Sequence, residues 1–187
     1  MWCCIERRNS MKILVVVDMQ NDFITGALRT KEAQAIVPKI QQKIDQCRKE
    51  DNLVVFTQDT HDENYLNTQE GKHLPIPHCI HGSDGWQLVY DADDRYVVQK
   101  ETFGSNALAR LIVRYAHMLL SNNKAEAVEL VGVCTGICVL SNAVLIKSML
   151  PEIPIVVDAS CCACVTPESH KTALEAMKLL QIEVINE

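Results

Sequence analysis

The chain has 187 residues, a formal net charge of −6 and a hydrophobic fraction of 48%. That size and balance suit one globular domain with a full core. The acidic charge argues against broad binding to nucleic acid or to anionic membranes, and no apolar run approaches the ~20 residues needed to cross a bilayer.

Nine cysteines raise the question of a disulfide scaffold. The number is odd, the chain is long enough to fold without staples, and Met1–Ser10 carries Arg7 and Arg8 but no secretory hydrophobic core. A reduced, cytoplasmic protein is the expectation. Met11 opens a strand directly, so residues 1–10 are expected to be an extension outside the fold and residues 11–187 a single domain.

Lys12–Asp18, KILVVVD, is a continuous apolar run closed by a carboxylate, the pattern of a strand covered on both faces. Met19–Gly26 is polar and ends in a glycine turn. Ala33, Ile36, Val37, Ile40, Ile44 and Cys47 recur at helical spacing across Lys31–Glu50, where Pro38 predicts a kink. Leu53–Phe56 is a second strand, closed by Thr57, Gln58 and Asp59. Residues 60–93 are polar and lack periodicity, but Tyr65, Leu74, Ile76, Trp86 and Leu88 predict an ordered loop. A loop this long inside a compact domain is usually functional or disordered.

Arg95–Gln99 is a third strand with Lys100 at its end. Leu108, Leu111, Ile112, Tyr115 and Leu119 form the apolar stripe of the next helix. An apolar run ending at Val133 reads as a buried strand, followed by a tight turn at Cys134-Thr135-Gly136. Cys138 then starts a helix whose periodic residues are Ile137, Leu140 and Val144. Ile153–Val157 is a fifth strand closed by Asp158. Thr166-Pro167-Glu168 is a helix start with an N-cap and a first-turn proline, and Ala173, Met177 and Leu180 give that helix a face. Ile182–Ile185 is the last strand. The alternation predicts a three-layer α/β/α fold with a mainly parallel sheet, whose ligand sits beyond the carboxyl ends of the strands.

Asp18, Lys100 and Cys138 fall at or just beyond those ends. Singly, they read as a turn cap, a solvated lysine and a buried thiol. Together they are the carboxylate, cation and nucleophile of acyl transfer. A helix start would surround Cys138 with backbone N–H groups and favour its thiolate. Asp59-x-His61 with His78 supplies one carboxylate and two imidazoles, a set suited to Zn²⁺, Mn²⁺ or Fe²⁺ with positions open for water or substrate. Spacing alone slightly favours the plainer reading, loop histidines in ordinary hydrogen bonds. The run Ser160-Cys161-Cys162-Ala163-Cys164 could be a soft-metal or redox site, but it lacks paired C-x-x-C units. Lying between a strand and a helix cap, it reads as small buried or turn residues.

Five segments occur in order along the chain: VVVDMQNDF (15–23), TQDTH (57–61), PHCIHGSDGWQL (77–88), QKETFGSNAL (99–108) and VGVCTGICV (131–139). Together they resemble the nicotinamidase/isochorismatase-like superfamily of cysteine hydrolases. The resemblance implies an isochorismatase-like hydrolase fold and an Asp–Lys–Cys triad, matched here by Asp18, Lys100 and Cys138. The cysteine attacks an amide carbonyl, ammonia leaves, and water hydrolyses the acyl-enzyme. Asp18 would move the proton from the thiol to the leaving nitrogen. Lys100 would lower the thiol pKa and keep Asp18 ionised. The backbone N–H groups of Cys134 and Cys138 would hold the oxyanion, with Val133–Cys134 the candidate for a cis peptide. Branches with isochorismate chemistry lack the nucleophilic cysteine.

For the metal, the resemblance implies one divalent ion held by Asp59, His61 and His78, with zinc first and manganese or iron as alternatives. Glu70 stands where some members add a ligand, and Asn67 where others place a histidine. Phe23 matches an aromatic of the substrate pocket, and Phe103 is a second pocket candidate. Two departures stand out. Leu74-Pro75-Ile76-Pro77 replaces an aromatic just before His78, and Gly136 stands where many nicotinamidases carry Asp. The implied substrate is a small carboxamide, nicotinamide first. Alternatives are another small amide or carbamoyl compound, or a non-catalytic metal- or thiol-binding protein on the same fold. A homo-oligomer, dimer or tetramer, is expected, with no nucleic-acid or membrane partner.

Overall fold

The structure, a computed structural model, describes residues 10–120 and 124–187. Residues 1–9, the bulk of the expected extension, lie outside the described residues. Six strands form one sheet in the order β3-β2-β1-β4-β5-β6: β1 Ser10–Val17, β2 Leu53–Asp59, β3 Val97–Lys100, β4 Lys124–Val133, β5 Ile155–Ala163 and β6 Glu183–Ile185. Every neighbouring pair is parallel.

The continuous apolar runs follow from the layering. Residues Ile13 to Val17 are all 2% exposed or less, because alternate residues enter different cores. Leu14 and Val16 join Val54, Phe56, Val131 and Val133 under helix α2, Lys31–Lys49, whose stripe is Ala33, Ile36, Ile40, Ile44 and Cys47. Ile13, Val15 and Val17 join Leu130 and Val157 under α4 (Asn106–Leu120), α5 (Leu140–Met149) and α6 (Pro167–Leu179). Two short helices, α1 Asn21–Ile24 and α3 Gln69–His73, complete the set among the described residues. None of the described helices is long and apolar enough to cross a membrane.

The chain leaves β1 towards β2 and β3, then crosses to β4, β5 and β6. The strand order therefore reverses between β1 and β4, and a crevice at the carboxyl ends of those strands is the expected ligand position. Asp18, Asp59, Lys100 and Cys134 all stand at that edge, at or immediately after the ends of β1, β2, β3 and β4.

Several boundaries differ from the sequence reading. Helix α2 runs through Pro38, as its periodicity predicted, and ends at Lys49; it has an apolar stripe on both sides of the proline and an N-cap at Thr30, whose side chain accepts from the Ala33 N–H at 3.0 Å. Lys100 is part of β3, and β1 begins at Ser10. The predicted tight turn and helix start around Cys138 are instead one π-helical turn, Thr135–Val139, ahead of α5. Asp158 does not close β5. The register slips, from Leu130 opposite Val157 to Gly132 opposite Cys162, and the strand runs on to Ala163. Asp158 is held within it by Lys43 at 2.8 Å and by the Ser160 hydroxyl at 2.8 Å. Cys161 and Cys162 are thus buried, as expected, but as strand residues rather than turn residues. The loop after β2 is ordered: it forms a 3₁₀ turn at Tyr65–Asn67 and helix α3, and a bridge joins His61 to Ile80.

Candidate active site

Asp18 follows β1 directly in a left-handed conformation, φ 50°, which aspartate tolerates better than most residues. Its own N–H donates to Thr57 Oγ1 at 3.1 Å, and the Thr57 hydroxyl donates to Asp18 Oδ1 at 2.6 Å. The other oxygen, Oδ2, lies 2.7 Å from Lys100 Nζ. That contact is an ion pair without hydrogen-bond alignment, so Oδ2 is a buried acceptor with no directed donor. Lys100 Nζ also reaches Asp59 Oδ1 at 2.9 Å and Cys138 Sγ at 3.5 Å. Asp18, Lys100 and Cys138 are 0%, 4% and 7% exposed. Residues scattered over most of the chain therefore meet in one dry space.

The electrostatics follow from that dryness. Burial raises the Asp18 carboxyl, and Lys100 only partly offsets it. Burial alone would neutralise Lys100, but the carboxylates of Asp18 and Asp59 outweigh it and hold the ammonium well above its usual range. Burial pushes the Cys138 thiol well up, the charge of Asp18 adds to this, and Lys100 opposes without reversing it. This corrects the expected resting thiolate. Two anionic neighbours and little solvent oppose a third negative charge, so the thiol is protonated until a base removes its proton.

The same edge carries Asp59, His61 and His78, whose ligand atoms all lie within 4.8 Å of one another. Asp59 Oδ2 is 3.0 Å from His61 Nε2 and 3.6 Å from His78 Nε2. Glu70 Oε1 is 3.9 Å from each histidine Nε2. Metal–ligand bonds of about 2.0–2.2 Å separate adjacent ligands by roughly 3–3.5 Å, so the three-residue set fits a divalent ion, with Glu70 slightly farther out. His78 Nδ1–H donates to the Ile76 carbonyl at 2.9 Å, which leaves Nε2 as the lone-pair atom facing the cluster, a usual second support for a metal-binding imidazole. Burial works against ionising Asp59, but the hydrogen bond with His61, the neighbouring His78 imidazole and the charge of Lys100 outweigh it, and its pKa falls far below the carboxylate range.

A cavity of about 1160 Å³ opens over both groups, and Phe23, Phe103, Leu74, Ile137, Cys138 and His78 are among the residues that line it. Phe23 meets His78 edge-on at 5.6 Å, while Phe103 is 47% exposed. The Val133–Cys134 peptide is cis, and the Cys134 carbonyl accepts from Ile137 and Val139 at 3.0 and 3.1 Å. The backbone thereby curls around Cys138.

Residues 12–187 match the isochorismatase domain. The chain belongs to the isochorismatase family. A probable inactive nicotinamidase of Arabidopsis thaliana is 27% identical over 190 residues, spanning 91% of this chain and 89% of that protein. A pyrazinamidase/nicotinamidase structure from Streptococcus mutans is 30% identical, with a TM-score of 0.77 over 93% of this chain and 99% of its own. A pyrazinamidase from Pyrococcus horikoshii, solved in complex with zinc, is 26% identical, with a TM-score of 0.77 over 94% and 99%.

Other residues shape this isochorismatase-family site that sequence reading did not single out for it. Gln20 donates from Nε2 to the Asp59 and Trp86 carbonyls at 2.8 and 2.9 Å and accepts from the Asp59 N–H at 2.7 Å, clamping the end of β2. Asn142 donates to the Cys138 and Phe103 carbonyls at 2.8 and 3.1 Å and accepts from the Ser105 N–H at 2.8 Å. It ties the turn bearing Cys138 to the segment after Lys100. Tyr65 places its ring 4.7 Å from His61 and 5.0 Å from His78, with its hydroxyl on the Leu74 carbonyl at 2.9 Å. Gln20 lies inside the DMQNDF segment, so a signal existed for it. Asn142 and Tyr65 acquire their roles only through tertiary contacts.

Proposed function

We propose that this protein is a cysteine-dependent amidohydrolase that cleaves a small carboxamide and releases ammonia, with nicotinamide the first candidate substrate. The observation that carries the reading is Lys100, whose Nζ lies 2.7 Å from Asp18, 2.9 Å from Asp59 and 3.5 Å from Cys138. A buried cation joining a base to a thiol has no use in a plain binding module. One relative bears the description of a probable inactive nicotinamidase, so kinship alone does not carry activity, and the intact set of three residues must.

Asp18, with its undirected oxygen Oδ2, takes the Cys138 proton as sulfur attacks the carbonyl carbon. Lys100 keeps Asp18 ionised before the transfer and balances the charge that develops afterwards. The backbone N–H groups of Cys134 and Cys138 receive the carbonyl oxygen as it becomes an oxyanion. Asp18 then delivers the proton to the leaving nitrogen, and water admitted by the cavity opens the acyl-enzyme. Asp59, His61 and His78, with Glu70 farther out, would hold a divalent metal, zinc first; bound there it supplies a Lewis-acid anchor for a substrate lone pair such as a ring nitrogen. Phe23 and Phe103 form apolar walls for the acyl group.

A second reading, hydrolysis of another small amide or carbamoyl compound, draws on the wall before His78. Leu74-Pro75-Ile76-Pro77 offers no aromatic ring there, and Ile76 is 40% exposed. Ammonia release from a panel of pyridine carboxamides, aliphatic amides and carbamoyl compounds separates the two. Cys138→Ser is expected to stay folded and to lose at least about a thousandfold in kcat. Turnover near wild type in folded Cys138→Ala protein would remove the nucleophile assignment.

A further inference from the structure

Two cysteines outside the triad face each other across the sheet edge. Val133 of β4 pairs with Ala163 of β5, so the next residues, Cys134 and Cys164, leave adjacent parallel strands side by side. Neighbouring strands are about 4.8 Å apart, inside the Cα separation that a disulfide spans. The two side chains are close enough for each to shift the other's pKa. Both residues line the reaction cavity with Cys138, and both are reduced.

We propose that Cys134 and Cys164 are an oxidisable pair, which hydrogen peroxide or another small peroxide converts into a disulfide at the wall of the reaction cavity.

The environments of the cavity thiols set the order of events. Cys134, the Ser169 side chain and the backbone at Gly136 and Val165 surround the Cys164 sulfur and favour its charged form. Led by Cys134, these neighbours push its thiol down to about 5 despite burial. Cys134 moves the other way, raised by Cys164 and then by burial. With Cys164 the more readily ionised of the two, the pair has the arrangement of an attacking and a resolving cysteine. Cys138 is held as a neutral thiol and is the slower target. Gly136 permits the cradle: a Cβ there would sit 3.6 Å from Cys164 Sγ and 3.2 Å from Ala173 Cβ, so a longer side chain would press on the sulfur and on α6. Cys164 is only 5% exposed, which restricts the oxidant to a small one.

The chemistry balances in two steps. Cys164 thiolate attacks one peroxide oxygen, the O–O bond breaks, and a sulfenic acid forms with loss of hydroxide. Cys134 sulfur then attacks Cys164 sulfur; the S–S bond forms, the S–O bond breaks, and the departing hydroxide leaves as water with the Cys134 proton. The peroxide is reduced by two electrons and the two sulfurs are oxidised by two. Because Cys134 contributes an oxyanion donor in the proposed mechanism, the cross-link is expected to halt turnover until a thiol reductant reverses it. That consequence rests on the proposed hydrolase activity; the disulfide itself does not.

The test therefore reads the bond directly. Cys138→Ser protein, which lacks the nucleophile, is treated with hydrogen peroxide, alkylated, digested and mapped by tandem mass spectrometry. A peptide linked through Cys134 and Cys164 is expected, absent in the Cys138→Ser/Cys164→Ser double variant and lost on dithiothreitol treatment. Wild type is expected to regain its own untreated rate with dithiothreitol. Cys164 still alkylatable after peroxide has oxidised other cavity thiols, or linkage of Cys138 in wild type in place of the pair, would overturn the proposal. The linked peptide decides the matter even if no amide is hydrolysed.

Discussion

Lys100 brings one positive charge into a space shared by two carboxylates and a thiol, and that imbalance governs the protonation of the site. Asp18 must be ionised to take the Cys138 proton, yet burial raises its carboxyl. Activity is then lost as pH falls through that raised value, so the acid limb of kcat/KM is expected above the ordinary carboxylate value of about 4. The Thr57 hydroxyl donates to Asp18 Oδ1 at 2.6 Å and favours the charged form. Thr57→Val removes this donor while keeping the shape, raises the carboxyl further and is expected to move the acid limb up by about one pH unit. A pH profile that stays in place or moves down would show that another group titrates. Asp18, Lys100 and Cys138 were legible in the sequence because each sits in an ordered motif at a strand end. The resting state of the thiol was not, because it depends on the number of buried charges around the sulfur, which only the folded chain fixes.

At the scale of elements, the strand–helix alternation was legible because both faces of the sheet are covered and the central strands have no polar alternation. Their lengths were not. β5 continues past Asp158 because Lys43 and Ser160 satisfy that carboxylate inside the sheet, and no local pattern announces a partner on α2. The π-helical turn at Cys138 was hidden for a similar reason, since its apolar residues fit helical spacing. Gly132 shows how closely these elements are set. Its φ is +119°, and a Cβ there would overlap the Val17 carbonyl oxygen of β1, one residue before Asp18. Gly132→Ala is therefore expected to force β1 and β4 apart at the edge that carries Asp18, costing about 3 kcal/mol or more. For a chain of this length that is a fall of about 6–12 °C in Tm, with turnover reduced in the protein that remains folded. Calorimetry beside activity measurements checks it, and an unchanged Tm would mean that the two strands yield more readily than their register implies.

On the scale of the whole molecule, a parallel sheet collects four strand ends at one edge, and the long segment after β2 folds over them. The metal-ligand set joins the two. Asp59 ends β2 and His61 follows it, while Glu70 belongs to α3 and His78 to the loop beyond. A divalent ion held there would pin the loop to the sheet and so stabilise the fold as well as anchor substrate. An ion that binds only the folded chain adds about 2.7 kcal/mol at a hundred times its Kd, or about 5–10 °C in Tm at this chain length. Zinc added to chelator-stripped wild type is expected to raise Tm by that amount and to slow amide exchange across residues 65–78. Cys138→Ser should show the same rise, because its metal ligands are intact. The His61→Ala/His78→Ala double variant should show none. An equal rise in that variant would place the ion elsewhere and leave the Asp18–Lys100–Cys138 reading standing, whereas a rise lost in Cys138→Ser would mean that thiol and metal share one site.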